Sequence, residues 1–192
     1  MSDNDGTLLS NKSIIFNVNG NNYTRITNNE GIASIAINLR PGDYNITSFF
    51  TATNDYQSSS TNNIVKVLST INGHDIKKYY KNNTQYYATF VDTEGNFLND
   101  IIVSFNINGV FYERKTDAYG TARLNINLLP GGYILTAINP INGEMSSNNV
   151  TILNTMFSSD IVKFYKNDTQ YVVHLLNGAG KPLANQNVDF NL

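Results

Sequence analysis

The chain repeats itself, and a self-similar chain must build its fold from copies of one unit. Phe16-Asn17-Val18-Asn19-Gly20, Tyr23, Arg25, Gly31, Pro41-Gly42 and Tyr44 return 89 positions later as Phe105-Asn106-Ile107-Asn108-Gly109, Tyr112, Arg114, Gly120, Pro130-Gly131 and Tyr133. Tyr80-Lys81-Asn82-Asn83-Thr84-Gln85-Tyr86 recurs at a spacing of 85 as Tyr165-Lys166-Asn167-Asp168-Thr169-Gln170-Tyr171. Val188-Asp189-Phe190-Asn191 begins again what Val103-Ser104-Phe105-Asn106 began. The loop 47–63 is four residues longer than its counterpart 136–148, which accounts for the two spacings.

Within each copy apolar residues fall at period two. Ala122, Leu124, Ile126 and Leu128 alternate with Thr121, Arg123, Asn125 and Asn127, and the first copy gives Ala33, Ile35, Ile37 and Leu39. Such alternation puts one face of a strand in the core and the other in water. The same holds for Val103, Phe105 and Ile107, for Tyr133, Leu135 and Ala137, for Tyr86, Ala88 and Phe90, and for Val150 with Ile152. Their counterparts Ile14, Phe16, Val18, Tyr44, Ile46, Val65, Val67, Tyr171, Val173 and Leu175 keep that character.

Reversals separate the runs. Asn19-Gly20 and Asn108-Gly109 suit the positive φ of a type I′ hairpin, and Asp92-Thr93-Glu94-Gly95, Thr116-Asp117-Ala118-Tyr119-Gly120 and Leu129-Pro130-Gly131-Gly132 mark further turns. Seven strands per unit are expected, at about 76–81, 84–92, 101–108, 110–116, 121–128, 132–138 and 148–153. One sheet of seven would expose its apolar face, so the expected fold is all-β, tandem antiparallel Ig-like or prealbumin-like sandwiches. The expected core is Tyr86, Ala88, Phe90, Val103, Phe105, Ile107, Ala122, Leu124, Ile126, Tyr133, Leu135, Val150 and Ile152. Residues 75–154 form a complete module. Residues 1–72 lack its first two strands and 158–192 hold those two with a fragment of the third, so both read as truncated pieces of a longer array. Unpaired edges of this kind invite strand-swapped self-association. The joints, about 69–75 and 154–160, are short enough for a semi-rigid rod.

Composition excludes several classes. A net charge of −2 leaves no footprint for nucleic acid. No run reaches the length of a membrane helix, so direct insertion by a helix is not expected. Zero cysteines exclude a disulfide frame and thiolate metal sites. His74 and His174 do not recur between copies, and no acid, base and nucleophile set stands together. No enzyme, no cofactor and no metal are expected. Asp3-Asn4-Asp5-Gly6 has the start of a calcium loop, but the closing glutamate is absent where Ile14 stands, and the copies at 92–95 and 177–180 lose carboxylates, so a turn is the reading.

The runs YYKNNTQYYATFVDTEGNFLND, VSFNINGVFYERKTDAYGTARLNINLLPGGYILTAINPINGE and SSNNVTIL resemble the Ig-like repeats of adhesin-like surface proteins of methanogenic archaea, across nearly the whole chain. TDAYGTARLNINLLPGGY is more distantly similar to carboxypeptidase regulatory-like domains and to collagen-adhesin B-type pilin domains. The resemblance implies an extracellular, cell-wall-associated location and a stalk or adhesive role. Pilin domains of that kind weld themselves with a lysine–asparagine bond beside a buried acid. Here the acid's place holds Ala137 and Ser48, so no cross-link is expected and Lys78, Lys81 and Lys166 read as solvated edge charges.

The expected function is a non-catalytic spacer of a surface protein, its partners being neighbouring modules, with loops able to meet glycan or protein. The alternative is a carbohydrate-binding module, for which Tyr56, Phe111 and Tyr119 are the candidate contacts, on loops or an outer face. Asn11, Asn22, Asn45, Asn82, Asn149 and Asn167 carry the Asn-x-Ser/Thr pattern for glycosylation. With 32 asparagines in the chain, about five such triplets arise from composition alone, so the pattern is no enrichment.

Overall fold

Asn19-Gly20 and Asn108-Gly109 take positive φ, 50° and 81° in the first pair, 53° and 79° in the second. This is the geometry a type I′ turn demands, and each pair closes a hairpin. The computed structural model describes residues 5–191, and among these it is all-β, without a helix. They separate into two units, divided between Ser69 and Thr70.

In the first unit β1 (Ser13–Val18), β2 (Asn21–Ile26), β3 (Gly42–Phe50) and β4 (Ser59–Val67) form one antiparallel sheet in the order β2-β1-β3-β4. Leu9, Val18, Ile46 and Phe50 are buried in it. Residues 33–39 were expected to be a strand. They keep the alternation, with Ala33, Ile35, Ile37 and Leu39 half-buried between exposed neighbours, but form no ladder among the described residues.

The second unit holds β5 (Ile71–Asn72), β6 (Ile76–Tyr79), β7 (Gln85–Phe90), β8 (Ile102–Ile107), β9 (Val110–Lys115), β10 (Thr121–Asn125), β11 (Gly131–Ile138), β12 (Met145–Leu153), β13 (Met156–Ser158) and β14 (Val173–Leu175). Two of its sheets, β10-β7-β5 and β6-β12-β11-β8-β9, share one core, while β13 pairs with β14. Tyr86 and Phe90 from one sheet meet Phe105 of the other at ring separations of 5.5 Å and 6.0 Å. These are the edge and tilted geometries that aromatic quadrupoles favour.

All seven expected strands form, with β10 ending at Asn125 and β12 beginning at Met145. Every residue of the expected core is buried except Tyr133, which is half-buried against it. Its ring lies over Gly131, at φ 153°, and its hydroxyl donates to the Leu129 carbonyl at 2.9 Å. Tyr44 repeats this on Arg40 at 2.7 Å, so the Pro-Gly-x-Tyr run fastens its own turn, and neither ring is fully interior. Tyr171, also expected on a buried face, is 47% exposed. Ile71, Ile76, Leu98 and Ala137 join the core beyond the expected set. Ile71 does so because part of the expected joint 69–75 is ordered structure, Ile71–Asn72 pairing with Phe90 and Thr89.

Phe105 is fully buried, whereas its repeat copy Phe16 is only half-buried. Phe105→Ala is expected to destabilise the second unit by about 3–5 kcal/mol, and Phe16→Ala the first by about 1–2 kcal/mol. Urea titration read unit by unit by hydrogen exchange measures both.

Candidate functional site

In the second unit β6 and β12 lie side by side and run parallel, with Ile76, Lys77, Lys78 and Tyr79 opposite Val150, Thr151, Ile152 and Leu153. Ile76 is buried beneath this pair, and the Tyr80 amide extends it by donating to the Leu153 carbonyl at 2.9 Å. Parallel pairing makes β6 and β12 run toward the same end of one ladder.

The start of the module is fastened by side chains. Glu144 accepts from the Thr70 amide at 2.7 Å and from its hydroxyl at 2.5 Å. Asn139, fully buried, donates to the Thr70 hydroxyl and to the Val91 carbonyl, each at 2.9 Å, and accepts from the Ile141 amide at 3.0 Å. Asn142 donates to the same hydroxyl at 2.9 Å. A buried amide needs all its partners met, and Asn139 has them. Its role was hidden in the sequence, since one asparagine among 32 carries no pattern that marks it as interior.

Asp75 adds a second fastening. Its carboxylate accepts from the Asn149 amide at 2.8 Å and from the Asn149 side chain at 3.2 Å, tying the residue before β6 to β12. Those bonds, the backbone one foremost, hold its carboxyl below the usual range. Beside it His74 stacks on Tyr86 at 5.7 Å and lies tilted against Tyr87 at 4.3 Å. The Tyr86 hydroxyl donates to Asn148 at 2.8 Å. Burial, reinforced by the Asp75 charge, pushes that hydroxyl up to about 12.

Lys78 corrects an expectation. It is not a solvated edge charge but is 6% exposed, its ammonium donating to the carbonyls of Thr84 at 2.9 Å and Ile126 at 2.8 Å. Burial lowers its pKa. The ammonium thus links the end of β6 to the end of β10 across the sandwich. Lys81 and Lys166 are exposed, each over the ring of the preceding tyrosine.

The three aromatic candidates belong to different units, Tyr56 to the first and Phe111 and Tyr119 to the second. Tyr56 belongs to the first unit, lines an open hollow of about 900 Å³, and is half-buried with Phe50 at its edge and the Lys12 ammonium 4.8 Å over its face. Phe111, 63% exposed, stands at the hairpin end of β9, and Tyr119, 72% exposed, lies in the turn beyond its other end. Of the six glycosylation candidates, Asn11, Asn22, Asn45, Asn149 and Asn167 are exposed and Asn82 is half-buried. The side-chain nitrogens of Asn82 and Asn149 donate to Gly178 and Asp75.

The turns use their oxygens on backbone. Asp92 Oδ1 accepts from the amides of Glu94 and Asn96, and Asp117 Oδ1 from those of Tyr119 and Thr121. Asn28 and Asn177 make the same contacts without a charge. Asp3 and Asn4 lie outside the described residues. Among the described residues no cluster of three metal-ligating side chains occurs.

The chain matches no protein-family profile and no curated protein. Among solved structures it is similar to a Bacteroides ovatus mixed-linkage glucan utilization protein, SGBP-B, at 17% identity over 77% of this chain and 39% of that one, TM-score 0.32. It is also similar to fibronectin(III)-like modules of Clostridium thermocellum CbhA, at 13% identity over 80% and 82%, TM-score 0.33. A Ca2+-stabilized ice-binding adhesin of an Antarctic bacterium follows at 12% identity over 80% and 44%, TM-score 0.29. At such scores architecture and chemistry rest on this chain's own residues.

Tyr86 is the residue to titrate. Its unfolded-state pKa is near 10.0 and its folded one about 12, so between them the folded protein holds a proton the unfolded chain has lost. Stability is whole below pH 10 and falls as pH rises from 10 to 12. Ultraviolet titration should show one tyrosinate forming about two pH units late, and Tyr86→Phe should abolish that step. Lys78→Met strands two carbonyls and is expected to cost about 1–3 kcal/mol in urea unfolding.

Proposed function

We propose that this protein is a non-catalytic spacer segment of an adhesin-like surface protein, built of sandwich modules that hold parts of that protein apart under tension. The observation that carries this reading is the parallel pair β6–β12. Force applied through the module's ends runs along these strands in opposite senses, so it shears all of their hydrogen bonds together. A hairpin pulled open at its ends instead breaks its bonds one by one. Thr70 with Asn139 and Glu144, and Asp75 with Asn149, add side-chain bonds at the place where such a load enters. Short joints support the same reading, since β5 begins four positions after β4 ends and β13 three after β12.

The extracellular, cell-wall placement comes with the resemblance to adhesin-like repeats. For glycan recognition, Tyr56 is half-buried beside Phe50 and Lys12, while Phe111, near one end of β9, and Tyr119, beyond the other, are exposed.

Single-molecule pulling tests the reading. The complete module pulled through its ends is expected to unfold at severalfold higher force than when pulled apart across the β8–β9 hairpin, and Ile76→Asp or Asp75→Ala should lower only the first value. Equal forces in the two geometries would remove the mechanical role, and glycan-array binding lost on Tyr119→Ala would replace it.

A further inference from the structure

We propose that the loop 79–82 is the surface on which one repeat seats the turn of the copy that follows it, and that Gly178 is the residue that lets that turn in. All of the contacts lie within the second unit. Residues 173–183 repeat 88–98 and build the same hairpin. Leu183 donates to the Leu175 carbonyl at 2.9 Å as Leu98 does to that of Phe90 at 3.0 Å, and Pro182 bridges to Leu176 as Phe97 does to Val91. What differs between the two copies is what the turn of the hairpin touches.

Four bends in the chain share one build, with the side-chain oxygen of Asn28, Asp92, Asp117 or Asn177 accepting two backbone amides. Their second positions hold Asn29, Thr93, Ala118 and Gly178. The bend itself therefore asks for no glycine there, and Gly178 lies outside the positive-φ region that would require one. Its reason is proximity. A methyl added at Gly178 would stand 2.7 Å from the Lys81 carbonyl oxygen and 3.0 Å from the Asn82 nitrogen, in a loop held by the Asn82 amide on the Tyr79 carbonyl at 3.1 Å. The Gly178 carbonyl accepts from the Asn82 side-chain nitrogen at 2.7 Å. Gly180, at φ 73°, lies against the Tyr79 ring, whereas Gly95, its copy at φ 88°, faces open space. Gly178 and Gly180 are accordingly half-buried, and Thr93 and Gly95 exposed.

The parallel ladder explains why the seat is here. Tyr79 stands opposite Leu153, so the loop leaving β6 lies beside the chain leaving β12. Whatever follows β12 meets that loop first. Only Asn154 and Thr155 separate β12 from β13, β13 pairs with β14, and the Thr155 carbonyl accepts from the Leu176 amide at 2.6 Å. The following copy is thus held twice, by the strand it pairs with at the joint and by its turn on the loop 79–82. Two separate holds fix an angle, where a short joint alone would leave a swivel. A turn carrying the threonine of position 93 has no room in this seat, so one residue decides whether the seat is taken. This contact is local and stands apart from any role in bearing tension.

Nuclear magnetic resonance on the full chain tests the proposal. Residual dipolar couplings of 173–183 and of the β6–β12 ladder should fit one common alignment, and the Tyr79 ring should show Overhauser contacts to Gly180. Gly178→Thr introduces the residue that the same bend carries at 93, so the hairpin should persist with its Leu183 amide still protected, while the common alignment and the Tyr79 contacts are lost. Asn82→Asp acts from the other side: it removes the donor to Gly178, keeps the oxygen that accepts from Thr84, leaves 173–183 unaltered, and should cause the same loss. Wild-type couplings that demand separate alignments for the two parts overturn the proposal, and so does a Gly178→Thr chain whose couplings match the wild type. Should Gly178→Thr unfold the hairpin, Asn82→Asp decides, and unchanged couplings there overturn the proposal as well.

Discussion

A strand exists only where another strand takes up its amide and carbonyl groups, and the rest of this protein follows from who supplies that partner. The two sequence copies make the case directly. Thr121–Asn125 pair with β7 and form a strand, whereas the aligned residues 32–36 have the same alternation and no ladder. Tyr86 is fully buried between two sheets, whereas Tyr171, eighty-five positions on, is half in water. Side-chain pattern decides which face turns inward, and pairing decides whether that face is covered.

The same constraint orders the second unit. Because β6 adds to β12 in parallel, the two strands start at one end of their ladder and finish at the other. Polar side chains gather around that pair. Asn139 is wholly enclosed and Lys78 nearly so, both satisfied by backbone carbonyls and neighbouring hydroxyls. Buried polar groups of this kind tolerate little substitution, because removing one partner leaves the other dry and unpaired. They fix where β6 and the chain before it sit, which a purely oily seam would leave free to slide.

Turn chemistry shows how the repeat tolerates sequence drift. Asp92, Asp117, Asn28 and Asn177 stand at equivalent bends and each accepts two backbone amides through one side-chain oxygen. Charge is dispensable for that geometry. The glycine that follows is not: at Gly120, φ 67°, an added methyl would run into the carbonyl of Phe90. A carboxylate in such a bend acts as an acceptor for the backbone of its own turn.

From sequence alone the two-residue period fixed strands and faces, Asn-Gly and Pro-Gly-x-Tyr fixed reversals, and self-similarity fixed the repeat, because each depends on residues adjacent along the chain. Leu98 in the core and the interior placement of Lys78 and Asn139 were not legible. Each depends on groups far away in sequence, such as Ile126 for Lys78 and Thr70 for Asn139. Local chemistry wrote the faces and the bends; which backbone and which side chain met across the fold was decided by distance in three dimensions, where hydrogen bonds and burial are settled.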